Sequence, residues 1–206
     1  MPALSRPAGP GLVRDARGWL RDRRGATAVE FAIIGAPFFF MIFSILQLAM
    51  YFMVQVTLDN ATANAARQLR TGQVIADGNS DTSGKQAFMT AVCNNMSWLQ
   101  SQCQSGVTSP GGTQYLVVDV RQLGAYSNAA GNPTLNAGGN APTNSCYYSG
   151  SAGSAVEMRA YYRWQMIVPE LMSSLQTFAN GVAELQSTEV FQIEPNGQTN
   201  PSATAC

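Results

Sequence analysis

The chain has 206 residues, with twelve basic and twelve acidic side chains, a net charge of zero and no histidine. A neutral chain has no global field that would attract nucleic acid. The lack of histidine excludes Ser-His-Asp and Cys-His catalysis and every histidine-ligated metal site. The composition therefore predicts a protein that is not an enzyme, does not bind nucleic acid and needs no cofactor.

The first 24 residues form a basic leader. They contain six arginines and two aspartates, so an excess of four positive charges stands directly before an apolar segment. The positive-inside rule keeps such a flank in the cytoplasm and sends the C-terminal part of the chain across the membrane.

Residues 31–56 form an apolar run of 26 residues without a charge. As a helix this run would be about 39 Å long, more than the ~30 Å hydrocarbon core of a bilayer, so it can cross with a tilt. We therefore expect a single-pass membrane protein. The alternative is a secretory signal peptide, since Ala61-Thr62-Ala63 resembles a cleavage site and would give a soluble product, for example an enzyme, starting near Asn64.

Glu30 stands at the entrance of the apolar run, in the sequence RRGATAVEF. A carboxylate at this depth costs a few kcal/mol unless it is paired or neutralised. In an uncleaved helix it would mark the headgroup interface. If the chain were cut after Gly25, however, the new α-amine of Ala26 would lie one helical turn from Glu30, and on a neighbouring copy the two charges could pair.

This motif resembles the prepilin cleavage motif of the Flp/Tad branch of type IV-like pilins, in which a peptidase cuts after Gly and Glu is the fifth mature residue. Phe31 stands where major Flp pilins usually have Tyr, and the chain is much longer than those pilins. Both departures favour the TadE-like minor pseudopilins. Near the C-terminus, Glu194-Pro195 also resembles the end of TadE-like domains.

The resemblance implies a minor pilin or pseudopilin that a prepilin peptidase cuts between Gly25 and Ala26, and that supports a Flp/Tad pilus and hence adhesion. Glu30, followed by Phe31, would pair with a subunit's α-amine. The implied partners are the peptidase, other Tad pilins and pseudopilins, the inner-membrane assembly platform and membrane lipid. The alternatives are a TadF- or TadG-type component, or an uncleaved, membrane-anchored extracytoplasmic binding domain.

The spanning helix is predicted to continue to about Thr71, where Gly72 suits the residue that ends a helix. Small and apolar residues form a stripe on one face of this extension. The stripe consists of Leu58, Ala61, Ala65 and Leu69. It would pack either on the protein's own outer domain or on other pilin-type helices, and the sequence leaves both open.

These patterns predict three segments: a cytoplasmic leader (1–25), a pilin-like helix (26–72) and an extracytoplasmic α+β domain (73–206). In the domain we expect an antiparallel sheet with two helices on one face. The predicted strands are 114–123, 157–168 and 186–193, the predicted helices 82–98 and 169–179, and a long loop without charge covers about 124–155. Five glutamates of the domain show no paired spacing and are expected on a solvated surface. They are Glu157, Glu170, Glu184, Glu189 and Glu194.

Four cysteines follow the predicted crossing, Cys93, Cys103, Cys146 and Cys206. An even number of cysteines in a small exported domain predicts two disulfides. Three connectivities are possible, and proximity along the chain favours Cys93–Cys103. The remaining pair would tether the C-terminus to the long loop. Their spacing fits no zinc knuckle, so no metal site is predicted.

Overall fold

A computed structural model describes residues 26–73, 81–108, 115–123, 145–148, 151–168, 175 and 181–195. The predicted leader and most of the predicted long loop lie outside these residues, as does the helix predicted after Pro169, apart from Leu175. The chain divides into two compact units, Met1–Phe43 and Ser44–Cys206.

The first helix, α1, runs Ala26–Arg70 and contributes residues to both units. Its end is set by Gly72, which adopts a left-handed conformation with φ of 77°. There the amide of Gly72 donates to the carbonyl of Leu69, and the amide of Gln73 donates to that of Gln68. This pair of bonds is a Schellman motif, and the predicted end of the helix near Thr71 is confirmed.

Three shorter helical elements follow: α2 at Asp81–Asn94, a 3-10 turn at Ser97–Leu99 and α3 at Gln100–Thr108. The predicted helix therefore ends four residues earlier than expected, and α3 was not predicted. A disulfide joins Cys93 of α2 to Cys103 of α3, the pairing that sequence proximity favours. The two helices are thus held together covalently.

The three strands are β1 at Leu116–Leu123, β2 at Ala155–Gln165 and β3 at Val182–Gln192. They form one antiparallel sheet in the order β1-β2-β3. The predicted α+β fold class, with a short antiparallel sheet after a long apolar helix, is confirmed. Outside the sheet, Tyr147 makes a parallel bridge to Val120 on the outer edge of β1.

One face of the sheet carries the hydrophobic core. Alternate residues of the strands point to this face, such as Val118 of β1 and Met158 and Tyr162 of β2, and all three are fully buried. Phe88 of α2 and Leu58 of α1 belong to the same cluster. The core therefore combines the sheet, α2 and the second half of α1.

The opposite face of the sheet carries buried charges. Glu157 and Arg159 of β2 are only 4% and 5% exposed, and Glu157 Oε1 accepts hydrogen bonds from Arg159 Nε at 3.1 Å and Nη2 at 2.6 Å. On β1, Asp119 accepts from Arg121 Nε at 2.7 Å and from the amide of Cys146 at 2.7 Å. The prediction of a solvated Glu157 was wrong, because this second face is covered and the carboxylate has a buried cationic partner.

The pKa of Lys85, a residue of α2, is affected by one of these charges. Lys85 is partly buried, and this burial lowers the pKa of its ammonium group, while the negative charge of Asp119 acts in the opposite direction. Its Nζ donates a hydrogen bond to Ser145 Oγ at 3.2 Å. Polar contacts thus join α2, β1 and the Ser145–Tyr148 segment.

Candidate functional site: the N-terminal helix

The described residues include one helix that is long and apolar enough to cross a membrane, Thr27–Arg70. Its most apolar stretch has a mean hydropathy of 2.2, and most of its side chains are exposed. Phe31, Ile34 and Phe40, for example, expose 59–70% of their surface. So many large apolar side chains on an uncovered helix are unfavourable in water, and they indicate a membrane-anchored protein.

The predicted cleavage and pairing residues lie at the start of this helix. Gly25 is outside the described residues, and Ala26 is the first residue of the described helix. Glu30 and Phe31 are both exposed. A Cβ at Gly35 would lie 3.7 Å from Cε1 of Phe31, so the ring of Phe31 lies against the next turn of the helix. Because Glu30 is exposed, its carboxylate can be reached by a group of another molecule.

From Ser44 onward, one face of α1 is covered by the protein's own domain. The predicted stripe, Leu58, Ala61, Ala65 and Leu69, is fully buried and lies in the same cluster as the sheet and α2. Of the two interpretations that the sequence left open, packing on the protein's own domain is therefore the one observed. Small residues on this face let the helix approach the sheet and α2 closely.

Two glutamines and an arginine attach this part of α1 to the domain. Gln47 is 4% exposed, and its side-chain amide accepts a hydrogen bond from the amide of Val168 at 2.8 Å and donates to the carbonyl of Val168 at 3.2 Å. Gln55 Nε2 donates to the carbonyl of Gln186 at 3.0 Å. At the end of the helix, Arg70 pairs with Glu194 at 3.0 Å. The Glu194-Pro195 segment thus lies beside the end of the helix.

The other face of α1 in this region is apolar and uncovered. Leu48, Phe52, Met53 and Val56 recur at helical spacing and expose 37–57% of their surface. We call these four residues the exposed apolar face. At 100° per residue they lie on the side of the helix opposite Val54 and Leu58, which are buried in the core. A second apolar helix could pack on this face without displacing the domain.

Two cavities lie near the C-terminal end of α1. One of about 340 Å³ lies near Arg70, Gly153 and Glu194, and another of about 260 Å³ is lined by polar residues such as Asn64, Gln68 and Asn95. Among the described residues, no group of three His, Cys, Asp or Glu side chains could hold a metal ion.

The remaining predicted site residues are cysteines. Cys146 is disulfide-bonded, and Cys206 lies outside the described residues, so the predicted tether of the C-terminus to the loop stays a prediction. Sequence reasoning missed Gln47 and Gln55. Their position as polar residues inside an apolar run was a signal for a contact, but the partner of each glutamine is more than 120 residues away along the chain.

A family model matches part of the chain. The family model described as TadE-like protein matches residues 25–67, which include Ala26, Glu30 and most of α1. No curated protein and no solved structure is significantly similar to the chain. The resemblance to TadE-like proteins that the RRGATAVEF motif predicted is thereby confirmed, and residues 25–67 are similar to that family.

Proposed function

We propose that this protein is a minor pseudopilin, made as a precursor and cut by a prepilin peptidase between Gly25 and Ala26. TadE-like pilus components are structural rather than catalytic, and a component of a Tad pilus is expected to contact other proteins of that system. The freed helix would associate sideways with other pilins or pseudopilins at the inner membrane, and the domain outside would support initiation or assembly of the pilus.

The observation that carries this proposal is the division of α1 into two faces. One face is fully occupied by the protein's own domain, whereas the exposed apolar face is open at the same level of the helix. A plain membrane anchor needs no apolar surface beside its folded domain. A subunit that packs against neighbouring helices needs such a surface, because burial of apolar side chains drives this association in water.

Release of the domain by a signal peptidase is disfavoured by the packing. A product starting near Asn64 would lose Val54, Leu58 and Ala61, which are fully buried in the core. Removing several large core side chains costs several kcal/mol, comparable to the whole stability of a domain.

The cleavage is tested by the N-terminus of the purified protein. When the full chain is expressed with a prepilin peptidase, we expect mass spectrometry to find Ala26 as the first residue. Gly25→Leu is expected to abolish cleavage and leave the leader in place, since the bulky side chain occupies the scissile position. Gly18→Leu is the matched control, a glycine in the same leader away from the junction, and should still be cut. A native protein that begins at Met1 would identify an uncleaved anchor instead.

Glu30 is proposed to pair with the α-amine of a neighbouring processed subunit. Glu30→Gln keeps the size of the side chain and removes the charge, so we expect normal membrane insertion but weaker co-isolation with processed pilins of the same system. Asp59→Asn, which also removes an exposed acid from α1, should leave co-isolation unchanged. If Glu30→Gln associates as well as the native protein, the pairing is wrong even though the cleavage stands.

A further inference from the structure

The contact between Gln47 and Val168 limits how deep α1 lies in the bilayer. Strand β2 ends at Gln165, and Met166–Val168 continue without regular secondary structure. Irregular backbone is tolerated inside the hydrocarbon core only where protein buries it or where it lines a water-filled cavity. This segment is not buried, because Ile167 at its centre is 68% exposed. Since Gln47 holds the backbone of Val168 through two hydrogen bonds, Gln47 also lies outside the hydrocarbon core.

The number of residues before Gln47 fits this limit. Residues 27–46 would span about 30 Å as a helix, which is the thickness of the hydrocarbon core. The full apolar run 31–56 is longer than that core, and its last nine residues extend about 14 Å beyond Gln47. The end of the run is therefore not the end of the membrane-spanning part.

One apolar side chain of the irregular segment faces outward. Ile167 is 68% exposed, although its neighbours Met166 and Val168 are held by hydrogen bonds to Gly181 and Gln47. An exposed isoleucine at the level where a helix leaves the lipid lies within reach of the interfacial region. Apolar side chains gain free energy by entering that region to a depth of about 5–10 Å.

We propose that the Met166–Val168 segment is a membrane-contact site, at which Ile167 inserts into the lipid interface of the outer leaflet. The domain would then rest directly on the bilayer, with Gln47 at the boundary of the hydrocarbon core. The exposed apolar face would stand above the lipid from Phe52 onward, where a protein partner can cover it. This inference depends on the membrane anchoring of α1 and not on cleavage or on the pilus.

Single labels on the full-length protein in phosphatidylcholine vesicles test this contact. The native cysteines are retained, and Ile167→Cys carries an environment-sensitive fluorophore. Val190→Cys is the matched control, an exposed apolar residue of the same domain at 43% exposure. It lies eight residues along β3 from Val182, which pairs with Gln165 beside the contact site, a separation of about 26 Å.

We expect lipids that carry a nitroxide on the headgroup to quench the Ile167 label. We also expect aqueous iodide to quench this label roughly threefold less than the Val190 label, because a side chain 5–10 Å inside the interface is shielded from water. A label at Val56→Cys should remain open to iodide. Equal iodide quenching at Ile167 and Val190 would overturn the proposal. Quenching of the Val56 label by nitroxides on the acyl chains would overturn it too, since the lipid would then extend to the end of the apolar run. Vesicles without other Tad proteins suffice, so the result does not depend on the proposed pilus function.

Discussion

Arg159→Met is expected to lower the free energy of unfolding by about 3–5 kcal/mol, because it removes the buried cation that donates to the carboxylate of Glu157. Both side chains are almost fully buried, and Arg159 donates two hydrogen bonds to Glu157 Oε1. Urea unfolding of the full chain in detergent, followed by tryptophan fluorescence, would measure the loss.

The double variant Glu157→Leu/Arg159→Met separates the charge from the packing. It removes both buried charges at once, so most of the lost stability should return. Arg70→Met is the matched control: it breaks an ion pair whose two side chains are about half exposed, and such pairs contribute at most about 1 kcal/mol. If Arg159→Met cost no more than Arg70→Met, the pair on β2 would not be buried as described.

Leu58→Ala is expected to lower the free energy of unfolding by about 2–5 kcal/mol, the usual cost of a cavity at a fully buried leucine. Leu58 is a fully buried residue of α1 in the hydrophobic core. Truncating its side chain should therefore weaken the packing of α1 on the domain. The same urea unfolding experiment measures this change.

Phe52→Ala is the matched control on the other side of α1. Phe52 is 57% exposed, and substitutions at such positions change stability by about 0.5 kcal/mol or less. It should instead weaken co-isolation with processed pilins, whereas Leu58→Ala, where the protein still folds, should not do so directly. Equal destabilisation by the two variants would contradict the division of the helix into a buried and an exposed face.

The features that sequence reasoning predicted correctly are local ones. The end of α1 follows from Gly72, because a glycine in the left-handed conformation completes the Schellman hydrogen bonds by itself. The strands follow from alternation, as in Leu116–Leu123, since a period of two residues is decided within the strand. The TadE-like motif around Glu30 is likewise contained in nine consecutive residues.

The features that were missed depend on contacts between distant residues. Alternation places Asp119 and Glu157 on the outer face of the sheet, but it does not indicate whether that face is covered. Glu157 was therefore expected in solvent. The stripe around Leu58 has the same spacing whether it meets its own domain or another helix, so only the folded chain could decide. Gln47 and Val168 are 121 residues apart along the chain, and no local pattern connects them.

Some backbone groups on the outer edges of β1 and β3 are already hydrogen-bonded within the protein. On β1, the amide of Val120 donates to the carbonyl of Cys146, and its carbonyl accepts from the amide of Tyr148. On β3, the carbonyl of Gln186 is occupied by the side chain of Gln55. An open edge strand is a template on which a second chain can add a strand and start aggregation. With these positions taken, a second chain cannot pair with the sheet at Val120 or at Gln186, even where copies of the protein lie close together.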